Sequence, residues 1–293
     1  MIRTIILALA CVSQLSIAAD QLDPENPSDA LTINRKIQCS LVDGEAVTWY
    51  WFGNAYSRRM GERDKVLFKV EGMNTRACST VDHPERGKGY KLVSREILLY
   101  KDPKTGEVLS SWENPWTGET VEVLHVANDP VNFQAHEMGR DGNPAGFRGT
   151  IANDHWWMTS TVPLFYPNPL AGEFQPEIGG TYHATEMFNF FGNKDSLLDP
   201  ELNTAPAKVG WVRMSDWLPW MKMGGREGVI YMHTAGHKLD SWDELSDTMK
   251  EQIRQHYPEY TSPPPLDDQR RNVTSWSYFR DVREGKVTAP KRQ

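Results

Sequence analysis

Residues Tyr90 to Asn132 read YKLVSREILLYKDPKTGEVLSSWENPWTGETVEVLHVANDPVN, and the reading of this stretch decides the fold class. Three runs rich in β-branched, aromatic and aliphatic residues are separated by Asp102-Pro103-Lys104-Thr105-Gly106 and by Asn114-Pro115-Trp116-Thr117-Gly118. Each connection places Pro where φ near about −65° is wanted and Gly where φ must be positive, as in a type I turn closed by a glycine bulge. Strands that follow one another so closely must pair antiparallel, because a parallel crossover needs about a dozen residues or more. From Tyr90 to Tyr100 one face carries Tyr90, Leu92, Leu98 and Tyr100 and the other Val93, Ile97 and Leu99, so both faces of this strand are to be buried.

Outward from that core, further strands are expected at Glu45–Tyr56, Lys65–Asn74, Val131–Met138, Phe147–Val162, Gly180–Phe191, Lys208–Trp217 and Gly228–Ala235. Most are bounded by Gly, Pro, Asn or Asp at close intervals, the rhythm of a barrel or sandwich and not of βαβ units. A mainly β, antiparallel β-barrel-like single domain is favoured over a covered sandwich, since closure removes the edges that so many strands would expose. One C-terminal helix is expected. Ser241 with Glu244 reads as a capping box, and Leu245, Met249, Ile253 and Tyr257 line one face until Pro258. The segment Phe165–Gly179, with Pro167, Pro169 and Pro176, reads as a long covering loop that acts as a lid. The organisation is then a leader at 1–19, a lead-in arm at 20–35, the barrel-like domain at 36–284 and a disordered tail at 285–293.

The leader combines Arg3, an apolar run from Ile5 to Val12 and small residues near the end, which is a secretory signal peptide too short to span a bilayer. Cleavage after Ala18 or Ala19 fits equally well. A periplasmic or secreted protein follows, and with a formal net charge of −7 it suits neither nucleic acid nor anionic lipid. No later apolar run is long enough for membrane insertion. Cys39 and Cys78 remain in a compartment that permits oxidation, where a disulfide between them and a pair of free thiols both fit the sequence.

Eleven tryptophans stand out, among them Trp49 and Trp51 on one strand face, Trp112, and Trp157 on the face of His155. A concavity lined by such rings suits a flat apolar or aromatic ligand, or the face of a sugar. Any single Trp is more often core than ligand contact. Charged residues inside apolar strands discriminate better. Glu96 and Arg95 lie on opposite faces of the Tyr90–Tyr100 strand, and Arg213 lies between Trp211 and Ser215, so each needs a partner or a ligand. His125, His136, His155 and His183 sit in strands with apolar or aromatic neighbours, His183 opposite Glu186 in sequence parity. Such a histidine could act as general acid or base, although a hydrogen-bonded core role is the commoner one. His136-Glu137 lacks the second His of a zincin, and no metal or other cofactor is called for. GxSxG, P-loop, GxGxxG and CxxC patterns are absent.

The pieces SRE, DPKTGE, NPWTG, HVANDPV and WMKMG, with the closing YPEYTSPP, occur in an order that resembles the family filed as domain of unknown function 1838. The resemblance implies one compact domain and singles out Arg95, Glu96, Trp112, Asn114, His125, Asn128 and Asp129 without assigning them roles. From the residues themselves the expectation is an exported protein enclosing a hydrophobic or aromatic small molecule. Glu96, His125 and His183 would move protons in an isomerase, cyclase or lyase type of reaction, and Arg95, Trp49, Trp51, Trp112, His155, Trp157 and Glu186 would hold the ligand. A carbohydrate-binding or carbohydrate-active protein and a non-catalytic binding protein are the alternatives.

Overall fold

Both turns of the opening stretch form as the sequence requires. In a computed structural model that describes residues 21–167, 181–223 and 225–291, Gly106 and Gly118 take φ of 77° and 71°. Asp102 Oδ1 accepts from the backbone N–H groups of Lys104 and Thr105, and Asn114 Oδ1 does the same for Trp116 and Thr117. The strands they join do not form a simple meander. The long strand β3 (Gly87–Lys101) meets the segment after the first turn in a single bridge, Lys101 to Val108. Beyond it β4 (Ser111–Glu113) and β5 (Thr120–Glu122) pair with each other as a separate hairpin. The reason is competition for an edge. One side of β3 is taken by β2 (Lys65–His83), and the other by β6 (Val126–Asn128) and β7 (Phe133–His136), which leaves the middle of the stretch to fold over the sheet.

The remaining strands are β1 (Val47–Arg58), β8 (Thr150–Ala152), β9 (His155–Pro167), β10 (Thr181–Asn193), β11 (Lys208–Ser215) and β12 (Val229–Leu239). With β2, β3, β6 and β7 they make a ten-stranded antiparallel sheet in the order β6-β3-β2-β1-β12-β11-β10-β9-β8, β7 pairing with β3. The protein is therefore mainly β and antiparallel, as expected, but the sheet is not closed: among the described residues β6 and β7 at one edge do not pair with β8 at the other. It is strongly curled instead. Trp49 on β1 and Phe190 on β10 have ring centroids 5.6 Å apart although β12 and β11 lie between their strands. Three flat inter-strand steps would separate them by about 14 Å.

Curling gives the sheet an inner face filled at both ends. At one end α1 (Pro27–Gln38) and α2 (Lys194–Leu198) bury Ile33, Ile37 and Leu197 against Trp49, Trp156 and Val209. At the other the β4–β5 hairpin and the segment from Trp217 to Met223 pack on Phe68, Val70, Leu98, Tyr100 and Met232. The outer face of β2 and β3 is covered by α3 (Asp247–His256) and α4 (Ser275–Arg283), over Met73, Ile97 and Leu99. Both faces of β3 are thus buried, which the sequence demanded.

Two helical expectations are corrected. The 20–35 segment holds most of α1, where Asn26 caps the helix, Pro27 opens it and Ala30, Ile33 and Ile37 supply its buried side. Its short apolar stripe is sparse enough to look like an arm until a sheet end is there to receive it. The helix after Ser241 starts later than the capping box suggested: Ser246 is the N-cap, and Ser241 precedes a single 3-10 turn. Ser246 is claimed by tertiary contacts, its hydroxyl donating to Glu71, which also accepts from Tyr50 Oη at 2.9 Å and Lys101 Nζ at 2.6 Å. The stripe Leu245, Met249, Ile253 and Tyr257 is buried as read. The leader at 1–19 and the Phe165–Gly179 loop beyond Pro167 lie outside the described residues.

Asn114 links the second turn to the plug at its end of the inner face. Its side chain is fully buried, and Nδ2 donates to Met221 O at 2.8 Å while Oδ1 holds the turn. Replacing it by Ala strands a buried carbonyl and two turn N–H groups, so Asn114→Ala is expected to cost about 2–3 kcal/mol, read as a lowered urea midpoint at unchanged m-value.

Candidate functional site

Between the two filled ends the inner face carries a belt of polar and aromatic side chains, one strand after another. The alternation along each strand puts Asn128 of β6, Glu96 of β3, Asn74 and Arg76 of β2, Trp49 and Trp51 of β1, Trp211 and Arg213 of β11, and Glu186 and Phe188 of β10 on that face. Cross-strand register fixes the close pairs. Glu96 faces Asn128, whose Nδ2 donates to Glu96 Oε1 at 2.6 Å, and Glu186 faces Arg213, whose Nη1 donates to Glu186 Oε1 at 2.7 Å. The Trp51 indole lies flat over Gly72 of β2, filling the space a Cβ would occupy, and meets Trp211 edge-on at 6.3 Å. Phe188 stacks on Trp211 at 6.4 Å.

Several polar atoms of this belt are buried and unsatisfied. Trp51 Nε1, Trp211 Nε1 and Asn128 Oδ1 are without a hydrogen-bond partner among the described residues. Burial, followed by the Glu186 carboxylate, holds the Glu96 carboxyl above the usual carboxylate range, against the opposing pull of Asn128, Arg213 and Arg76. That Glu96 feels Glu186 and Arg213 at all follows from the curl, since their strands are far apart along the sheet. Arg76 is pulled down to about 10 by burial, with Glu96 acting the other way. A carboxyl biased toward its acid form next to an ion-paired carboxylate is an arrangement that can donate and accept protons.

The sequence pattern of the family described as protein of unknown function DUF1838 matches residues 44–283, from the loop before β1 to the last residue of α4. The chain belongs to this family. No curated protein matches it at a meaningful level. Family membership names no activity, so the chemistry of this DUF1838 protein rests on its own side chains.

Of the residues the sequence put forward, Glu96, Trp49, Trp51 and Glu186 meet in the belt. The others are placed elsewhere. Arg95 points to the outer face, where it pairs with Asp129 at 3.1 Å and donates to the carbonyls of Glu259 and Ser262, tying down the C-terminal cover. His125 is 2 % exposed and has both ring nitrogens in backbone contacts: Nδ1 accepts from Tyr100 N at 3.0 Å, and Nε2 lies 2.9 Å from Leu109 O. That fixes the neutral tautomer with the proton on Nε2 and bridges β3 to the hairpin. Trp112 belongs to the aromatic plug, against Phe68 and Trp220. His183, His155 and Trp157 occupy strand positions of opposite parity to Glu186 and Met158 and so face outward, His155 pairing with Asp154 and Trp157 being 44 % exposed.

Arg76 and Asn74 were missed, because the expected strand ended at Asn74 whereas β2 continues to His83. A charged residue two positions from Asn74 and Cys78 in an alternating run was the available signal. Asn128 was marked only by resemblance. Among the described residues no group of three or more His, Cys, Asp or Glu gathers to hold a metal, and no helix is long and apolar enough to cross a membrane.

The raised Glu96 carboxyl has a sign that can be checked. Folded DUF1838 protein keeps this proton to higher pH than the unfolded chain, whose Glu titrates near about 4.3, so stability falls as pH rises through that window and on to the folded value. Glu96→Gln removes the loss while keeping an acceptor for Asn128. Its urea midpoint relative to the wild type should therefore improve from pH 4 to pH 7.5, and a constant difference would show that Glu96 is not held protonated.

Proposed function

We propose that the inner belt binds a small organic molecule with a flat apolar or aromatic face, and that Glu96 is its proton-transfer group. The observation that carries this reading is that Trp51 Nε1, Trp211 Nε1 and Asn128 Oδ1, buried and without hydrogen-bond partners among the described residues, stand on the face that holds Glu96. Buried polar groups are normally satisfied, and here a ligand supplies the missing partners. Proton transfer is supported by the Glu96 carboxyl, raised by burial and by Glu186, beside a carboxylate tied to Arg213. Export to the periplasm or beyond is supported by the leader-like first residues and by the Cys39–Cys78 disulfide, which suits an oxidising compartment.

Mass spectrometry of molecules released from protein purified from its native host is the test. A flat conjugated compound that returns to the wild type but binds Trp51→Ala at least tenfold more weakly supports the reading. Incubation of that compound in deuterated buffer then reads proton transfer directly, with Glu96→Gln expected to slow exchange by about 10²–10⁴-fold. One observation favours a second reading: two carboxyl groups, Glu96 and Glu186, on one face above tryptophan rings also describe a glycoside-cleaving site. Recovery of an oligosaccharide would replace the first reading with this one.

A further inference from the structure

One cation of the belt, Arg76, has only neutral hydrogen-bond acceptors among the described residues, and this narrows the ligand further. Arg76 is bound by neutral acceptors: Nε donates to Asn74 Oδ1 at 2.7 Å and Nη1 to Gln38 Oε1 at 2.9 Å. Lys238, on the inner face of β12, donates to Lys36 O, Thr204 Oγ1 and Ala205 O at 2.7 to 2.9 Å, and burial, followed by the nearby Arg76 and Lys36, pushes its ammonium well below the usual lysine range. Both side chains lie over the Trp49 ring, at 5.8 and 5.5 Å, a contact that compensates the Arg76 charge only in part. The positive charge of Arg213 is cancelled by Glu186. Glu96 attracts the Arg76 guanidinium across the belt, but its hydrogen bond is with Asn128. The Arg76 guanidinium is thus an interior cation with no carboxylate in contact among the described residues, and a buried cation without a contacting counterion is costly to keep.

We propose that the belt takes a planar organic anion, an aromatic or conjugated carboxylate, with its ring against Trp51 and its carboxylate toward the Arg76 guanidinium. This rests on the small-molecule reading of the belt and adds the charge of the ligand to it. Arg76 is well placed for the role. It sits two positions along β2 from Asn74, the cross-strand neighbour of Glu96, and α1 holds it through Gln38, so its fork is oriented before any ligand arrives.

The test is calorimetric titration of the oxidised full-length chain with benzoate, its neutral isostere benzamide, and acetate. Benzoate is expected to bind at least about tenfold more tightly than either of the others, and Arg76→Gln to remove that preference while leaving benzamide affinity unchanged. Arg76→Lys should restore part of it. Benzamide binding as tightly as benzoate overturns the anion inference and leaves the belt as a site for neutral flat molecules. Benzoate binding that ignores both Arg76→Gln and Trp51→Ala places the anion elsewhere and removes the belt reading as well. If no probe binds, the anion inference falls, while the belt reading is judged separately on the molecule recovered from the host. Should Arg76→Gln fail to fold by circular dichroism, the wild-type contrast of benzoate with benzamide decides alone.

Discussion

Replacing both cysteines, Cys39→Ser with Cys78→Ser, is expected to lower stability by about 4 kcal/mol, the loop-closure value for a separation of 39 residues. For a chain of this size that corresponds to about 7 °C in the thermal midpoint. The bond joins the C-cap of α1 to the second half of β2, with both sulfur-bearing residues fully buried. Its loss should reach the belt, because the residue before Cys39 is Gln38, which accepts from Arg76 through its side chain and from the Trp49 indole through its backbone. Scanning fluorimetry of the double variant, and of the wild type with reductant, measures the first effect. A midpoint within a degree of the oxidised wild type would mean that α1 is held by packing alone.

Gly53→Ala is expected to be nearly as damaging, at about 3 kcal/mol, the upper part of the overpacking range. A Cβ at Gly53 would run into the backbone of β12, the His233 carbonyl oxygen and the Thr234 Cα, where β1 and β12 pair. Backbone cannot rotate away, so the two strands must separate and the belt open. Gly72→Ala provides the contrast. Its Cβ would meet the Trp51 indole, a side chain that can move, so a smaller loss of about 1–2 kcal/mol is expected together with a displaced indole. Paired urea titrations and tryptophan emission spectra read both. Equal stability of Gly53→Ala and the wild type would show that close approach at this glycine does not set the curl.

Much of the strand inventory was legible because it depends on neighbours in the chain. Tyr90 to Tyr100 is apolar on both faces whatever it packs against, and Asp102 and Asn114 start their turns with side chains that reach only two or three residues onward. Both turns, but not the pairing after the first, were therefore readable. Helix α1 escaped because three apolar residues in a polar run become a buried stripe only against a sheet end. In the site, Glu96 was visible as a charge in an apolar strand, and Trp49 and Trp51 as rings sharing a face. His125 carried the same kind of signal and turned out to be satisfied by two backbone groups, which no pattern of residues distinguishes from an unsatisfied histidine.

What the sequence determined by itself is a mainly β, antiparallel chain with two well-made turns, a narrow-striped helix before Pro258 and a few polar residues that needed an explanation. Only the tertiary structure decided which of those residues meet. Glu96, Asn128, Arg76, Trp51, Arg213 and Glu186 share one belt because the sheet curls, and curl accumulates from the twist of each strand on the next and from close approaches such as Gly53 to β12. Local periodicity fixes the face on which a side chain stands. It carries no information about which distant strand that face will turn toward.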